Sequence, residues 1–208
     1  MTRYNVGAPP PTETNLPNLV AAGKSDLLTI CHSIPLSREQ KDTLASFITT
    51  LHTSTFRAPS FFVNVRFVTP EADGDYYVAG KARPTSPNRI TATVRTSPTR
   101  TKEIFDSTAQ KIAAKWNEVV NDSAIAAPLD GSLTQDQVSR LKALHLVVFQ
   151  PMLAALEHGV VIPGAGEEQN WFRENMAYFK EQAEIHNNKE FQDMLHEVSQ
   201  SQELQVLL

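Results

Sequence analysis

Phe61-Phe-Val-Asn-Val-Arg-Phe-Val68 is the strongest strand signal in the chain, and the segments on either side of it decide the fold. Phe61, Val63, Val65 and Phe67 fall on one face and Asn64 and Arg66 on the other, the period of two expected of a half-buried strand. Upstream, Leu27-Leu-Thr-Ile-Cys31 is a short β-favouring run that ends before Pro35. Between the two lies Ser37-Arg-Glu-Gln40, which has the form of a capping box: the Ser and Gln side chains satisfy orphan amides at a helix start. Leu44, Phe47, Ile48 and Leu51 then follow at helical spacing, giving one apolar stripe through about residue 54. Together these make one strand–helix–strand unit.

The same pattern then repeats. Asp75-Tyr-Tyr-Val78 reads as a short edge or hairpin strand, and Arg89-Ile-Thr-Ala-Thr-Val94 as the next long one. Thr101 to Val120 is a helix carrying Ile104, Thr108, Ile112 and Val119 inward. Pro128-Leu-Asp-Gly131 marks an insertion over about 121–143, with a short helix from Thr134, and Leu146-Val-Val-Phe149 closes the second unit. Two successive units with short connections predict an α/β layer with parallel strand pairs inside each unit: a four-stranded core sheet with two helices. From Phe172 to Leu208 the chain is helical and polar, with Phe179, Phe191, Leu195 and Val198 on a loose stripe. Its apolar end docks on its own core or on a neighbouring subunit. The expected organisation is a Pro-rich extension over 1–24, an α/β domain over 25–175 and a helical tail over 176–208.

Composition excludes several classes of function. Lys and Arg number 19 against 23 Asp and Glu, a net charge of −4, where nucleic-acid binders carry a basic excess on one face. No apolar run approaches the roughly 20 residues that cross a bilayer, and the first thirty residues lack the basic start and apolar centre of a signal peptide. The single cysteine, Cys31, excludes a disulfide framework within the chain and reads as an inert buried thiol. A cytoplasmic location is expected, with neither nucleic acid nor membrane as partner. The histidines show no zinc spacing, and Gly164-Ala-Gly166 is a turn lacking the lysine of a phosphate loop. No metal or cofactor is therefore expected.

Four segments, in order, carry a resemblance to a known family. Ser37-Arg-Glu-Gln-Lys41 opening a helix that ends in Ile48-Thr-Thr-Leu-His52 is the first, and Phe61 to Phe67 the second. Tyr77-Val-Ala-Gly-Lys-Ala-Arg-Pro84 followed by Arg89-Ile-Thr91 is the third. The fourth runs from Glu157-His-Gly159 through Pro163-Gly-Ala-Gly166 to Trp171. With these the chain resembles the tautomerase superfamily over about residues 25–180, in particular the cis-3-chloroacrylic acid dehalogenase-like branch and its fungal relatives. The resemblance implies a β-α-β repeat assembled as a homotrimer, with pockets near the subunit boundaries. It also implies an amino-terminal proline just before the first strand, whose secondary amine moves protons on small carboxylate or keto–enol substrates. A terminal amine suits that task because its pKa, near 8 in models, falls further in an apolar pocket. Here the corresponding position falls at Ser25 or Asp26, and the nearest prolines are Pro17 and Pro35. An internal amide nitrogen is no base, so proline-based chemistry is lost unless the chain is cut near residue 25.

The resemblance also nominates site residues. His52 matches the histidine that holds substrate with arginine, and Arg100 one of two arginines; the other falls near Ser97, with Arg95 close enough to substitute. Glu157 matches the glutamate that activates water, while the tyrosine that assists it falls within Leu146–Val148 and is absent. Asn64 reaches the same pocket or makes a cross-strand hydrogen bond. Each has a plainer reading: a helix-end histidine is commonly a cap or dipole partner, and Glu157 an ordinary solvated carboxylate, with His158 orienting it or facing solvent. Arg100 precedes a helix, where a cation is mildly unfavourable, and a guanidinium there grips an anion with two hydrogen bonds. Trp171 reads as a packing anchor. If the protein is active, the expectation is isomerase or hydratase-like chemistry on a small carboxylate or keto–enol ligand. Glu157 and His52 would be its catalytic groups, and Arg100, Arg95, His52 and Asn64 would bind substrate. The rival is a non-catalytic binding or assembly protein that reuses the trimeric fold.

Overall fold

A computed structural model describes residues 26–70, 76–83, 86–121, 134–201 and 204–205. The 1–24 extension, Pro128–Gly131 and the last three residues lie outside the described residues. Strand β1 (Asp26–Cys31) leads to helix α1 (Arg38–Phe56), a 3-10 turn (Ser60–Phe62) and β2 (Val63–Val68). A hairpin of β3 (Tyr76–Val78) and β4 (Lys81–Arg83) precedes the second unit: β5 (Asn88–Val94), α2 (Lys102–Asn121), α3 (Gln135–Lys142) and β6 (Leu144–Pro151). The sheet runs β2-β1-β5-β6, parallel within each unit and antiparallel where β1 meets β5. This is the expected β-α-β repeat.

Both helices start as their sequences dictate. The Ser37 side chain accepts from the Gln40 backbone while the Gln40 side chain accepts from the Ser37 backbone at 2.8 Å, and Thr134 with Gln137 repeats the device on α3. The first core lies between the sheet and its two helices. It joins Leu28 and Ile30 of β1, Ile90, Ala92 and Val94 of β5, Leu44 and Ile48 of α1, and Ile112, Trp116 and Val120 of α2. Trp116, one turn beyond Ile112, completes the predicted stripe of α2, and its indole donates to the Lys142 carbonyl at 2.9 Å.

Two expectations are corrected. Phe61 is not in β2: it lies in the 3-10 turn and packs with the carboxyl-terminal helices. β2, for all its apolar character, lies at the sheet edge. The carboxyl-terminal region is two helices, α4 (Glu168–Lys180) and α5 (Lys189–Gln200), following a small β7–β8 hairpin (Leu156–Glu157, Val160–Val161). A π-helical turn over Glu181–Ile185 and a left-handed Asn187 at φ 51° separate them. Asn187-Asn188 ends the first helix because asparagine competes for backbone hydrogen bonds, and Asn188 then caps α5. Phe172, Phe179, Phe191, Met194 and Val198 bury a second core. Glu197 ties α5 to the 3-10 turn before β2, accepting from the Ser60 backbone at 2.7 Å and the Ser60 hydroxyl at 2.6 Å.

Candidate functional site

Alternation along β1 puts Asp26 on the same face as Leu28 and Ile30, towards the helices. The i, i+4 row of α1 runs Leu44, Ile48, His52, towards the sheet. The two patterns converge on one point, where an acid and a histidine meet in the core. Asp26 is 0% exposed and His52 2%, and His52 Nε2 lies 2.9 Å from Asp26 Oδ2. An ionised carboxylate only accepts, so that nitrogen carries the proton.

Two arginines from the β5–α2 connection close the cluster. The Arg95 backbone N–H donates to Asp26 Oδ1 at 2.7 Å, and its Nε lies 3.7 Å from the same oxygen. Its guanidinium also donates to Glu168 Oε1 at 2.8 Å and stacks on the Phe62 ring at 4.1 Å. Arg100 Nη1 donates to the Arg95 carbonyl at 2.8 Å, stands 3.7 Å from Asp26 Oδ2 and stacks over Phe56. Burial of the Arg95 and Arg100 side chains is nearly complete, at 3% and 5% exposed. Burial alone would raise the Asp26 pKa. The His52 hydrogen bond and the charge and backbone N–H of Arg95 outweigh it, and hold the carboxyl below its ordinary 3.8. Burial also pulls the Arg100 pKa below its ordinary value, an effect that Asp26 opposes and Arg95 reinforces.

His52, Arg95 and Arg100 are thus brought together, around a carboxylate of the chain itself. Glu157 is elsewhere: it lines a pocket between the β7–β8 hairpin, α4 and α5, with Phe62 and Trp171 on the same lining. His158 contacts Glu190 at 3.0 Å. Asn64 pairs in register with Leu27, next to Asp26. Its Nδ2 is buried without a hydrogen-bond partner, so it makes no cross-strand bond from that atom. Trp171 stacks on Phe62 and Phe179 and donates to the Val161 carbonyl at 2.7 Å, the packing role expected of it. Among the described residues no group of three or more His, Cys, Asp or Glu side chains is placed to hold a metal.

A family model described as a putative oxalocrotonate tautomerase enzyme matches residues 27–176. The chain belongs to this tautomerase family. In fold this family member is similar to the crystal structure of N1, a member of the cis-3-chloroacrylic acid dehalogenase family. The two are 22% identical, with a TM-score of 0.51 over 71% of this chain and 90% of that one. A probable enzyme from the thermophilic fungus Aspergillus fumigatus is 22% identical over 74% and 95%, with a TM-score of 0.41. An asymmetric trimer of fused 4-OT is 16% identical over 61% and 85%, with a TM-score of 0.42. No curated protein matches the chain.

In this tautomerase-family chain the first strand opens on Asp26, one of the two positions, Ser25 or Asp26, at which the superfamily resemblance leads one to expect a proline amine. Asp26 and Glu168 are the members of the cluster that motif reasoning did not nominate as site residues. Strand alternation was a usable signal for Asp26. Glu168 had none, because its partner Arg95 is 73 residues away.

Proposed function

We propose that this chain is a tautomerase-superfamily protein without proline-dependent tautomerase chemistry. Its carboxylate-gripping residues hold the chain's own Asp26, and it acts as a binding or assembly protein. One observation carries the reading: the Asp26 carboxylate is fully buried, hydrogen-bonded by His52 and by the backbone N–H of Arg95, and has the guanidinium groups of Arg95 and Arg100 each 3.7 Å away, where an incoming carboxylate would need them. A carboxylate held below its ordinary pKa is also a weak base at neutral pH, since base strength follows pKa. The test is the ketonisation of phenylpyruvate or 2-hydroxymuconate by the full-length protein. The expected rate is that of buffer; acceleration that disappears in Asp26→Asn would make Asp26 a working base and overturn the reading.

A second reading has an observation of its own. Arg95 Nη2 is buried without a hydrogen-bond partner, a donor left for a small carboxylate or keto–enol ligand held by Arg95, Arg100, His52 and Asn64. Glu157, whose pocket shares the Phe62 ring with Arg95, would supply weak proton-transfer or hydration chemistry. Thermal protection of the wild-type protein by a small carboxylate, lost in Arg100→Ala, selects this reading over the first. The rest of the proposal concerns organisation: a homotrimer in the cytosol, with the tautomerase-like unit over 25–175 between an extension over 1–24 and a tail over 176–208. Exposed apolar side chains, Leu146, Leu153, Leu156 and Val161, support assembly.

A further inference from the structure

Two acids meet Arg95, and they differ in access: Asp26 is sealed at 0% exposed, while Glu168 stands at the edge of the cluster at 14%. Glu168 Oε1 accepts from Arg95 Nη1 and its Oε2 from the Gly166 backbone, both at 2.8 Å. Most of the guanidinium is left over. Arg95 is 3% exposed, and its Nε and Nη2 are both buried without a hydrogen-bond partner. Asp26 Oδ1 stands off at 3.7 Å from Nε, and the Phe62 ring covers the guanidinium at 4.1 Å. A guanidinium presents its N–H groups as a planar fork that grips a carboxylate with two parallel bonds. Glu168 uses one prong. Buried donors left unpaired are costly, so two unpaired nitrogens on one sealed arginine point to an acceptor that the described residues do not supply.

Glu168 also sits where the chain can let go. It follows Pro163-Gly-Ala-Gly166, in which Gly166 has φ 97°, a region that side chains disfavour, and a Cβ built there would meet nothing within 4 Å. Helix α4 then starts without a side-chain cap: the Glu167 carboxylate turns back to accept from the Gly164 backbone at 3.0 Å. Uncapped first turns are the part of a helix that opens most easily. The apolar anchors of α4, Trp171 and Phe172, begin one turn later. We propose that Glu168 is a latch on Arg95, an internal stand-in that a small carboxylate ligand must displace to reach the guanidinium. The latch rests on the second reading, in which Arg95 and Arg100 hold such a ligand, and adds what controls its entry. Displacement exchanges one carboxylate for another, so the charge balance of the cluster holds. A tethered competitor acts at high effective concentration, and the ligand's affinity falls with the fraction of time the latch is open.

The experiment titrates the full-length protein with sodium propionate and with propionamide, its neutral isostere, at constant ionic strength. Binding is read by calorimetry and from the unfolding temperature. Expected is propionate binding to Glu168→Ala at least ~10-fold tighter than to wild type, about 1.4 kcal/mol, with propionamide the same in both. Binding seen only in Glu168→Ala counts as that gain. Glu167→Ala removes the same charge one residue from the contact and is expected to bind propionate as wild type does. In Glu168→Ala/Arg95→Lys, which keeps the positive charge and loses the fork, the gain disappears. Equal saturable binding to wild type and Glu168→Ala overturns the latch and leaves the ligand reading standing. No saturable binding to either protein overturns both. A gain as large in Glu167→Ala, one shared by propionamide, or one that survives Arg95→Lys is a general effect of charge or opening and overturns the latch. Glu168→Gln, which keeps the shape and removes the charge, gives the same direction if Glu168→Ala does not fold, and Glu167→Ala carries the comparison if the Arg95 variant does not.

Discussion

At Asp26 the balance of desolvation against pairing is settled by geometry. A buried ion is stable only where its partners are already in place, and removing one partner of such a set costs about 3–5 kcal/mol. Asp26→Asn keeps the shape and removes the charge, leaving Arg95 and Arg100 with Glu168 as their nearest remaining acid; urea unfolding at pH 7 is expected to show a loss of that size. The pH dependence has a definite sign. Because the folded carboxyl lies below 3.8, its contribution to stability is present above the unfolded value and lost as pH falls through the folded one. Acid titration of the unfolding free energy is expected to drop below about pH 4 in wild type, and to drop less in Asp26→Asn. An identical acid limb in the two proteins would refute the role given to this group.

Among the elements, α1 and α5 each carry a polar contact whose removal can be read singly. Ser37→Ala removes half of a reciprocal cap and is expected to cost about 1 kcal/mol, read from denaturant midpoints, with α1 still formed because Leu44, Ile48 and His52 anchor it. Glu197 has a different task. It is the hydrogen-bonded link from α5 to the 3-10 turn, and that turn carries Phe62, on which Arg95 stacks. Glu197→Ala is expected to lose about 1.5–3 kcal/mol, the range for hydrogen bonds to a charged group. A double-mutant cycle with Ser60→Ala should show coupling between the two; additive effects would mean that α5 is held by the apolar second core alone.

For the molecule as a whole, the single chain leaves apolar surface that its two cores do not cover. Leu153 is fully exposed, and Leu156 and Val161 are two-thirds exposed or more. Sedimentation is expected to give a species of three chains, and Leu146→Glu, on the exposed side of β6, to shift it towards one. A wild-type monomer at micromolar concentration would end the assembly reading. Among the described residues no helix is long and apolar enough to cross a membrane.

The sequence alone determined the repeat and its direction. Capping boxes, helical stripes and strand alternation are local signals, read within a few residues, and they placed β1, α1, α2, β5 and β6 within a residue or two of where they lie. By local readings alone His52, Arg95 and Arg100 were a helix cap and loop cations; the family resemblance made them legible as candidates. What they would face was not. Whether a buried arginine meets a ligand or an internal acid depends on which side chains the sheet register brings within 4 Å, and Asp26, Arg95 and Glu168 are separated by about 70 residues at each step. Glu157 is placed with His52, Arg95 and Arg100 by the resemblance alone. Only the packing of α4 and α5 against Phe61 and Phe62 separated it into an aromatic pocket of its own, because the fold of those helices is fixed by contacts between rings that no local pattern encodes.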